Sequence, residues 1–371
     1  MFPDSLESSL IEQSSKGALR TLQSKENLID FSSNDYLGFA RNKALTNCIH
    51  DKVRSLNLTN GSTGSRLLTG NSFYAQEIEK KLATRFKAKS SLLFNSGYTA
   101  NLSVLSTIPK KGDTIIYDEL SHSSIKDGVR LSLAKRLKFK HNDLEDLEKK
   151  IKIASGQIFI VAESLYSMDG DFCPLEDLVV LAKKYGAEII LDEAHSTGVL
   201  EKKGGGLASL LNLENDISIR IHTFGKAMGI HGATVSGSKI LIDYLINFAR
   251  PFIYTTALPP HSIASIDCAF EFFDKYIDLQ QQLENNITVF SSRTKNSTFI
   301  SKNTSCIQVV LIPGNQQVKE ASKILQENGI DVRPIISPTV PEGNERLRIC
   351  LHAFNTEKEI IKLTDILTQL G

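Results

Sequence analysis

Cysteine is scarce in this chain: Cys48, Cys173, Cys268, Cys306 and Cys350 are the only five in 371 residues. Their number is odd, no two lie close in sequence and no C-x-x-C occurs. That argues against a disulfide framework or a structural zinc site, and a reducing cytoplasm is the expected setting. An excess of one charge is also missing, since 43 Lys and Arg face 42 Asp and Glu for a net charge of +1. The chain therefore lacks the electrostatic footprint of a nucleic-acid or anionic-membrane binder, and small molecules are the expected partners. No run approaches the roughly 20 apolar residues needed to span a bilayer. Met1 to Arg20 has serines and carboxylates without a basic stretch leading into an apolar one, so it does not read as a signal peptide.

What is present is a globular composition, 41% hydrophobic and 23% charged, long enough for one large domain and a smaller one. Short β-branched runs alternate with helical patterns through the middle of the chain. Ser91–Asn95, Asp113–Tyr117, Gln157–Ala162, Ala187–Asp192, Ile217–Thr223 and Ala233–Ser236 read as strands. Pro174–Tyr185 reads as a helix with Leu175, Leu178, Val179 and Ala182 on one face, and Asp143–Ile153 as a second, capped by Asn142 with Glu145 in the capping-box position. This alternation predicts an α/β domain with a mostly parallel sheet. After about residue 256 a long helix, Pro260 to about Asn286, precedes strands near Ile307–Leu311 and Leu347–Leu351 and a closing helix from about Glu357 to Leu370. The expected organisation is an N-terminal segment 1–45, a large α/β domain 46–256 and a smaller α+β domain 257–371.

Ligands of open α/β sheets sit beyond the carboxyl ends of parallel strands, so the chemistry is sought there. Asn95-Ser96-Gly97-Tyr98-Thr99-Ala100-Asn101 follows a strand and opens a helix, which suits a phosphate held by free N–H groups; an ordinary glycine turn fits the same residues. Asp192, in Leu191-Asp192-Glu193-Ala194-His195, ends an apolar strand, where a carboxylate is costly without a cation such as a pyridinium nitrogen. A turn-capping Asp is the plain alternative; a metal site is disfavoured for want of a second His/Asp/Glu cluster, and no metal is expected. Lys226, in Thr223-Phe224-Gly225-Lys226-Ala227-Met228-Gly229, has small or apolar flanks that would lower its pKa and suit it to Schiff-base chemistry, with Thr223 beside it. Gly61–Ser72 is glycine-rich but lacks the P-loop pattern. His122 and Ser167 follow two further strands, and the His122 ring could lie flat against an aromatic cofactor.

In this order, S-G-Y-x-A-N, L-S-H-x-S, S-M-D-G-D, D-E-A-H-x-T-G and T-F-G-K resemble the α-oxoamine synthases, a branch of the fold-type-I pyridoxal-phosphate (PLP) enzymes. The likeness extends from Phe31–Gly38 to Arg346-Leu347-Arg348. It implies a fold-type-I transferase with PLP bound to Lys226, Asp192 at the ring nitrogen, His195 and Ser167 on the phenolic-oxygen side and His122 stacked on the ring. It implies a phosphate held by Ser96, Gly97, Tyr98 and Thr223, completed by Thr255 and Thr256 of a second subunit, hence a homodimer. Arg348 and Asn34 would take the amino-acid carboxylate, and Arg20 would lie near the acyl-donor entrance.

The reaction implied is a decarboxylating acyl transfer from coenzyme A or an acyl carrier protein. Phe248–Pro260 most resembles members of the branch for which the resemblance implies alanine and a pimeloyl thioester as substrates, and glycine-using members are the nearest rivals. The presence of Lys226, Asp192 and His195 argues against an inactive partner subunit, and the chain has no room or basic charge for a DNA-binding module. One departure stands out: Ile336 precedes Ser337-Pro338-Thr339-Val340-Pro341 where some members have arginine, with Arg333 as a possible substitute.

Overall fold

The computed structural model describes residues 3–22 and 27–370. The expected N-terminal segment therefore lies partly outside the described residues. The chain forms two compact units. The larger comprises Leu37–Ser167 and Phe172–Gln280; the smaller comprises Met1–Tyr36, Met168–Asp171 and Gln281–Gly371.

The larger unit is built on a seven-stranded sheet. In chain order its strands are β1 (Ser90–Phe94), β2 (Thr114–Asp118), β3 (Lys135–Phe139), β4 (Ile158–Glu163), β5 (Glu188–Asp192), β6 (Ile219–Thr223) and β7 (Ala233–Gly237). The order across the sheet is β1-β7-β6-β5-β4-β2-β3. β7 is antiparallel to both its neighbours, and every other pairing is parallel. Six strands consequently end at the same edge.

Alternation along the strands divides the core in two. Phe159, Val161 and Ile190 join one apolar cluster, with Val104 and Ile125 from the helices Gly97–Thr107 and Ser123–Leu131. Ile160, Ala162, Ile189 and Leu191 join the other, with Leu147 and Leu178 from Leu144–Lys152 and Leu175–Tyr185. Helices cover both faces, which is why the central strands are apolar on both sides. Each fully buried Ile or Leu contributes about 1.5–3 kcal/mol.

Three local expectations are corrected. Asp143, not Asn142, caps Leu144–Lys152, its side chain accepting from the Asp146 N–H, while Asn142 has φ 53°. The long helix after Pro260 is two, Pro260–Lys275 and Asp278–Thr294, separated at Tyr276. β3 went unpredicted because Lys135-Arg136-Leu137-Lys138-Phe139 carries three cations; it is an edge strand, where charge guards against further pairing.

The smaller unit holds a three-stranded antiparallel sheet of β8 (Ile307–Leu311), β9 (Arg333–Ile335) and β10 (Arg346–Cys350), in the order β9-β10-β8. The helices Asn315–Glu327 and Glu357–Leu370 belong to it. Ile29–Asp30 pairs in parallel with Ile330–Asp331.

Candidate active site

The carboxyl-end edge of the large sheet gathers most of the expected residues. After β1, Ser96 caps the helix Gly97–Thr107 and its hydroxyl accepts from the Thr99 N–H at 3.2 Å. The first intrahelical bond is Ala100 N–H to Ser96 O, so the N–H groups of Gly97 and Tyr98 belong to the turn that has no helical acceptor. A Cβ on Gly97 would stand 2.3 Å from Thr223 Cγ2, so the loop after β1 and the end of β6 meet where only glycine fits. The Tyr98 side chain is exposed and its hydroxyl donates to Asp127, which leaves the main-chain N–H as its means of reaching an anion. Thr223 is buried, with its hydroxyl 3.5 Å from Ala194 O.

Asp192 ends β5 only 5% exposed. Asn101 Nδ2 donates to its Oδ2 at 2.7 Å and the Ala194 N–H to its Oδ1 at 2.8 Å. Two donors offset part of the cost of burying a carboxylate, several kcal/mol for an unpaired ion. His195 is buried three residues on. Lys226 is half-buried in a tight turn closed by Gly229 N–H to Lys226 O at 2.8 Å. Gly229 has φ 61°, and a Cβ there would lie 2.2 Å from Ala40 N.

After β2, His122 caps Ser123–Leu131, its Nδ1 accepting the Ser124 N–H at 3.2 Å. Partial withdrawal from water lowers its pKa below the ordinary imidazole range, and Lys226 and Lys126 push the same way against Asp192. The ring is thus neutral near pH 7, with Nδ1 as an acceptor. Ser167 is half-buried after β4. Thr255 and Thr256 lie beside the residue that opens the first loop: Asn95 Nδ2 is 3.4 Å from Thr255 Oγ1 and 2.9 Å from Thr256 O.

The smaller unit brings Asn34 and Arg348 together. Arg348, only 8% exposed, donates from Nη2 to Asn34 Oδ1 at 2.9 Å and to Tyr36 Oη at 3.4 Å, and from Nη1 to Cys350 Sγ at 3.0 Å. Arg20 is exposed and bonds Thr339 Oγ1 at 2.9 Å. Arg333 does not stand free to replace an arginine at 336, because Asp331 takes its Nε and Nη2 at 2.5 and 2.9 Å. Arg20, Lys319, Lys323, Arg333 and Ile336 line a cavity of about 750 Å³.

Residue-by-residue reading of the sequence assigned no role to Asn101, which orients Asp192, or to Glu163, whose carboxyl oxygen accepts the His122 N–H at 2.5 Å. Glu163 carried a signal of the same kind as Asp192, a carboxylate closing an apolar β-run. Asn101 closes the S-G-Y-x-A-N motif, but nothing in that motif ties it to Asp192.

The aminotransferase class I and II family model matches residues 26–367. An 8-amino-7-oxononanoate synthase of Emericella nidulans is 41% identical, over 90% of this chain and 86% of its own length. The 8-amino-7-oxononanoate synthase 2 of Bacillus subtilis is 38% identical, over 93% of this chain and 89% of its own. Among solved structures, serine palmitoyltransferase from S. paucimobilis with a bound PLP–myriocin aldimine has a TM-score of 0.89 and 27% identity, covering 99% of this chain and 97% of that one. An 8-amino-7-oxononanoate synthase from Francisella tularensis has a TM-score of 0.80 and 30% identity, covering 93% of this chain and 98% of that one. The chain belongs to the aminotransferase class I and II family, in its α-oxoamine synthase branch.

Proposed function

We propose that the chain is a PLP-dependent acyltransferase that joins L-alanine to a pimeloyl thioester, giving 8-amino-7-oxononanoate, CO2 and the free thiol carrier. The observation that carries this reading is Asp192: a buried carboxylate at a strand end, its two oxygens held by Asn101 and Ala194, on the sheet edge that also bears Lys226. The residues fit the cofactor. The Gly97 cradle has room only for backbone and offers helix N-terminal N–H groups to a phosphate. Asp192 can face a ring N–H that needs an anion.

Bound PLP supplies an electron sink for the charge left on an amino acid when its Cα proton is removed. Lys226 anchors the cofactor and, as the free amine, takes that proton. Asp192 would hold the ring-nitrogen proton, His195 and Ser167 would serve the phenolic oxygen, and neutral His122 would stack on the ring. Ser96, Gly97, Tyr98 and Thr223 hold the phosphate. Arg348, with Asn34, binds the amino-acid carboxylate until it leaves as CO2. The new C–C bond forms at the acyl carbon as its bond to sulfur breaks, and the departing thiolate takes up a proton. Lys226 then returns a proton to Cα. A positioned base of this kind typically contributes about 10²–10⁴-fold.

Arg20 serves the acyl-donor entrance in this reading. The enzyme works in the cytoplasm as a homodimer, with Thr255 and Thr256 of each chain completing the other's phosphate site. The test is a matrix of alanine and glycine against pimeloyl and acetyl thioesters, each carried on coenzyme A and on acyl carrier protein, read as thiol and CO2 release. Alanine with a pimeloyl thioester is expected to be the best pair. Turnover confined to glycine with acetyl thioester would overturn the assignment.

A further inference from the structure

Glu163 and Asp192 are Cα partners on the adjacent parallel strands β4 and β5, each at the last position of its strand. Alternation puts Glu163 on the face of Phe159 and Val161, and Asp192 on the face of Ile190, which is the same face. Neighbouring strands lie about 4.8 Å apart, and both carboxyls are buried, at 3% and 5% exposure. Two carboxylates so close and so dry do not both ionise.

The hydrogen bonds decide which keeps the charge. Asp192 accepts from Asn101 and Ala194 on separate oxygens. The main-chain N–H of His122 donates to Glu163 Oε1 at 2.5 Å. That N–H belongs to the cap of the helix Ser123–Leu131, so a tether at this point fixes both where the helix starts and where the His122 ring stands.

We propose that Glu163 is a positioning residue that remains a neutral carboxylic acid, holds the His122 turn, and leaves Asp192 the only anion of the pair.

The groups around it do not all act in one direction, but burial and the neighbouring carboxylates prevail. Burial raises the Glu163 pKa most, Asp192 and, more weakly, Asp118 add to it, and the His122 N–H and Lys226 oppose, for a value of about 8. Asp118 acts from the other face of the sheet, on the side of Ile116, where His141 Nδ1 lies 3.0 Å from it. The consequence for stability has a definite sign. The folded protein keeps a proton on Glu163 between the ordinary carboxyl pKa and about 8, whereas the unfolded chain has lost it. Unfolding releases that proton, so stability falls as pH rises across this window and levels off above it.

The test uses Glu163→Gln, which keeps an acceptor for the His122 N–H and imitates the acid form, and Glu163→Ala, which removes it. Melts of the cofactor-free proteins from pH 5 to 8.5 are expected to show wild type losing stability relative to Glu163→Gln as pH rises. A difference that does not vary with pH would overturn the neutral acid. PLP titrations followed by absorbance are expected to give Glu163→Ala a Kd about tenfold weaker, as for a lost hydrogen bond to a buried group, with Glu163→Gln restoring most of it. Binding by Glu163→Ala as tight as wild type would overturn the positioning role. If Glu163→Ala does not fold, the pH series on wild type and Glu163→Gln still decides the neutral acid. The titration rests on the cofactor reading above but the melts do not. A wild type that bound no PLP would therefore defeat that reading, while the melts would still decide the state of Glu163.

Discussion

Single side chains carry the sharpest expectations. Lys226→Ala should abolish turnover and the visible absorbance of the bound cofactor together, since one amine is assigned both the anchor and the base. A variant that kept that absorbance would remove Lys226 from its role. Arg348→Lys keeps a positive charge but loses the planar fork that meets Asn34, Tyr36 and Cys350 together. It is expected to raise KM for the amino acid about 10–100-fold, the equivalent of about 1.5–3 kcal/mol, with a smaller change in kcat. Steady-state kinetics at varied alanine would check this; an unchanged KM would place carboxylate binding elsewhere. Lys226, Asp192 and His122 drew notice in the sequence because each lies at the end of an apolar β-run or within four residues beyond it. Glu163 was harder to read, because its meaning comes from standing opposite Asp192, and register is settled by pairing between strands 29 residues or more apart in the chain.

At the scale of elements, the glycine turns are the points of least tolerance. Gly229→Ala forces a side chain into a φ of 61° and against the Ala40 backbone at 2.2 Å, which should cost about 1–3 kcal/mol or more. Gly225→Ala, four residues before it, meets nothing nearer than Ile230 O at 3.6 Å and should be close to neutral in the same denaturant titration. Equal losses from the two would show that the turn is not held by that contact. Of the six strands read in the large sheet, five match the observed ones to within one residue at each end, since strands of a sheet covered on both faces are short, continuous, mostly apolar runs. Ile217–Thr223 began two residues early, before the pairing with β7 that defines β6 at Ile219. β3 escaped because an edge strand needs no apolar run, and the break at Tyr276 escaped because neither glycine nor proline marks it.

For the whole molecule, the α/β architecture was legible because strand and helix periods alternate so regularly. A homodimer was implied only by the family resemblance, because assembly depends on contacts the chain does not make with itself. Light scattering of the cofactor-bound protein is expected to give the mass of two chains. An active monomer would mean that Thr255 and Thr256 serve the chain they belong to, where both already sit beside Asn95. The composition of the smaller unit has a further consequence, for biosynthesis. Its pieces come from both ends of the chain, and the pairing of Ile29–Asp30 with Ile330–Asp331 joins residues 301 apart in sequence. A ribosome releases the first partner long before the second exists, whereas every strand of the large sheet is complete once Gly237 has emerged. The large sheet can therefore form on the nascent chain. Asn34 must wait for Arg348, so the hydrogen bond between them is among the last parts of the molecule to exist.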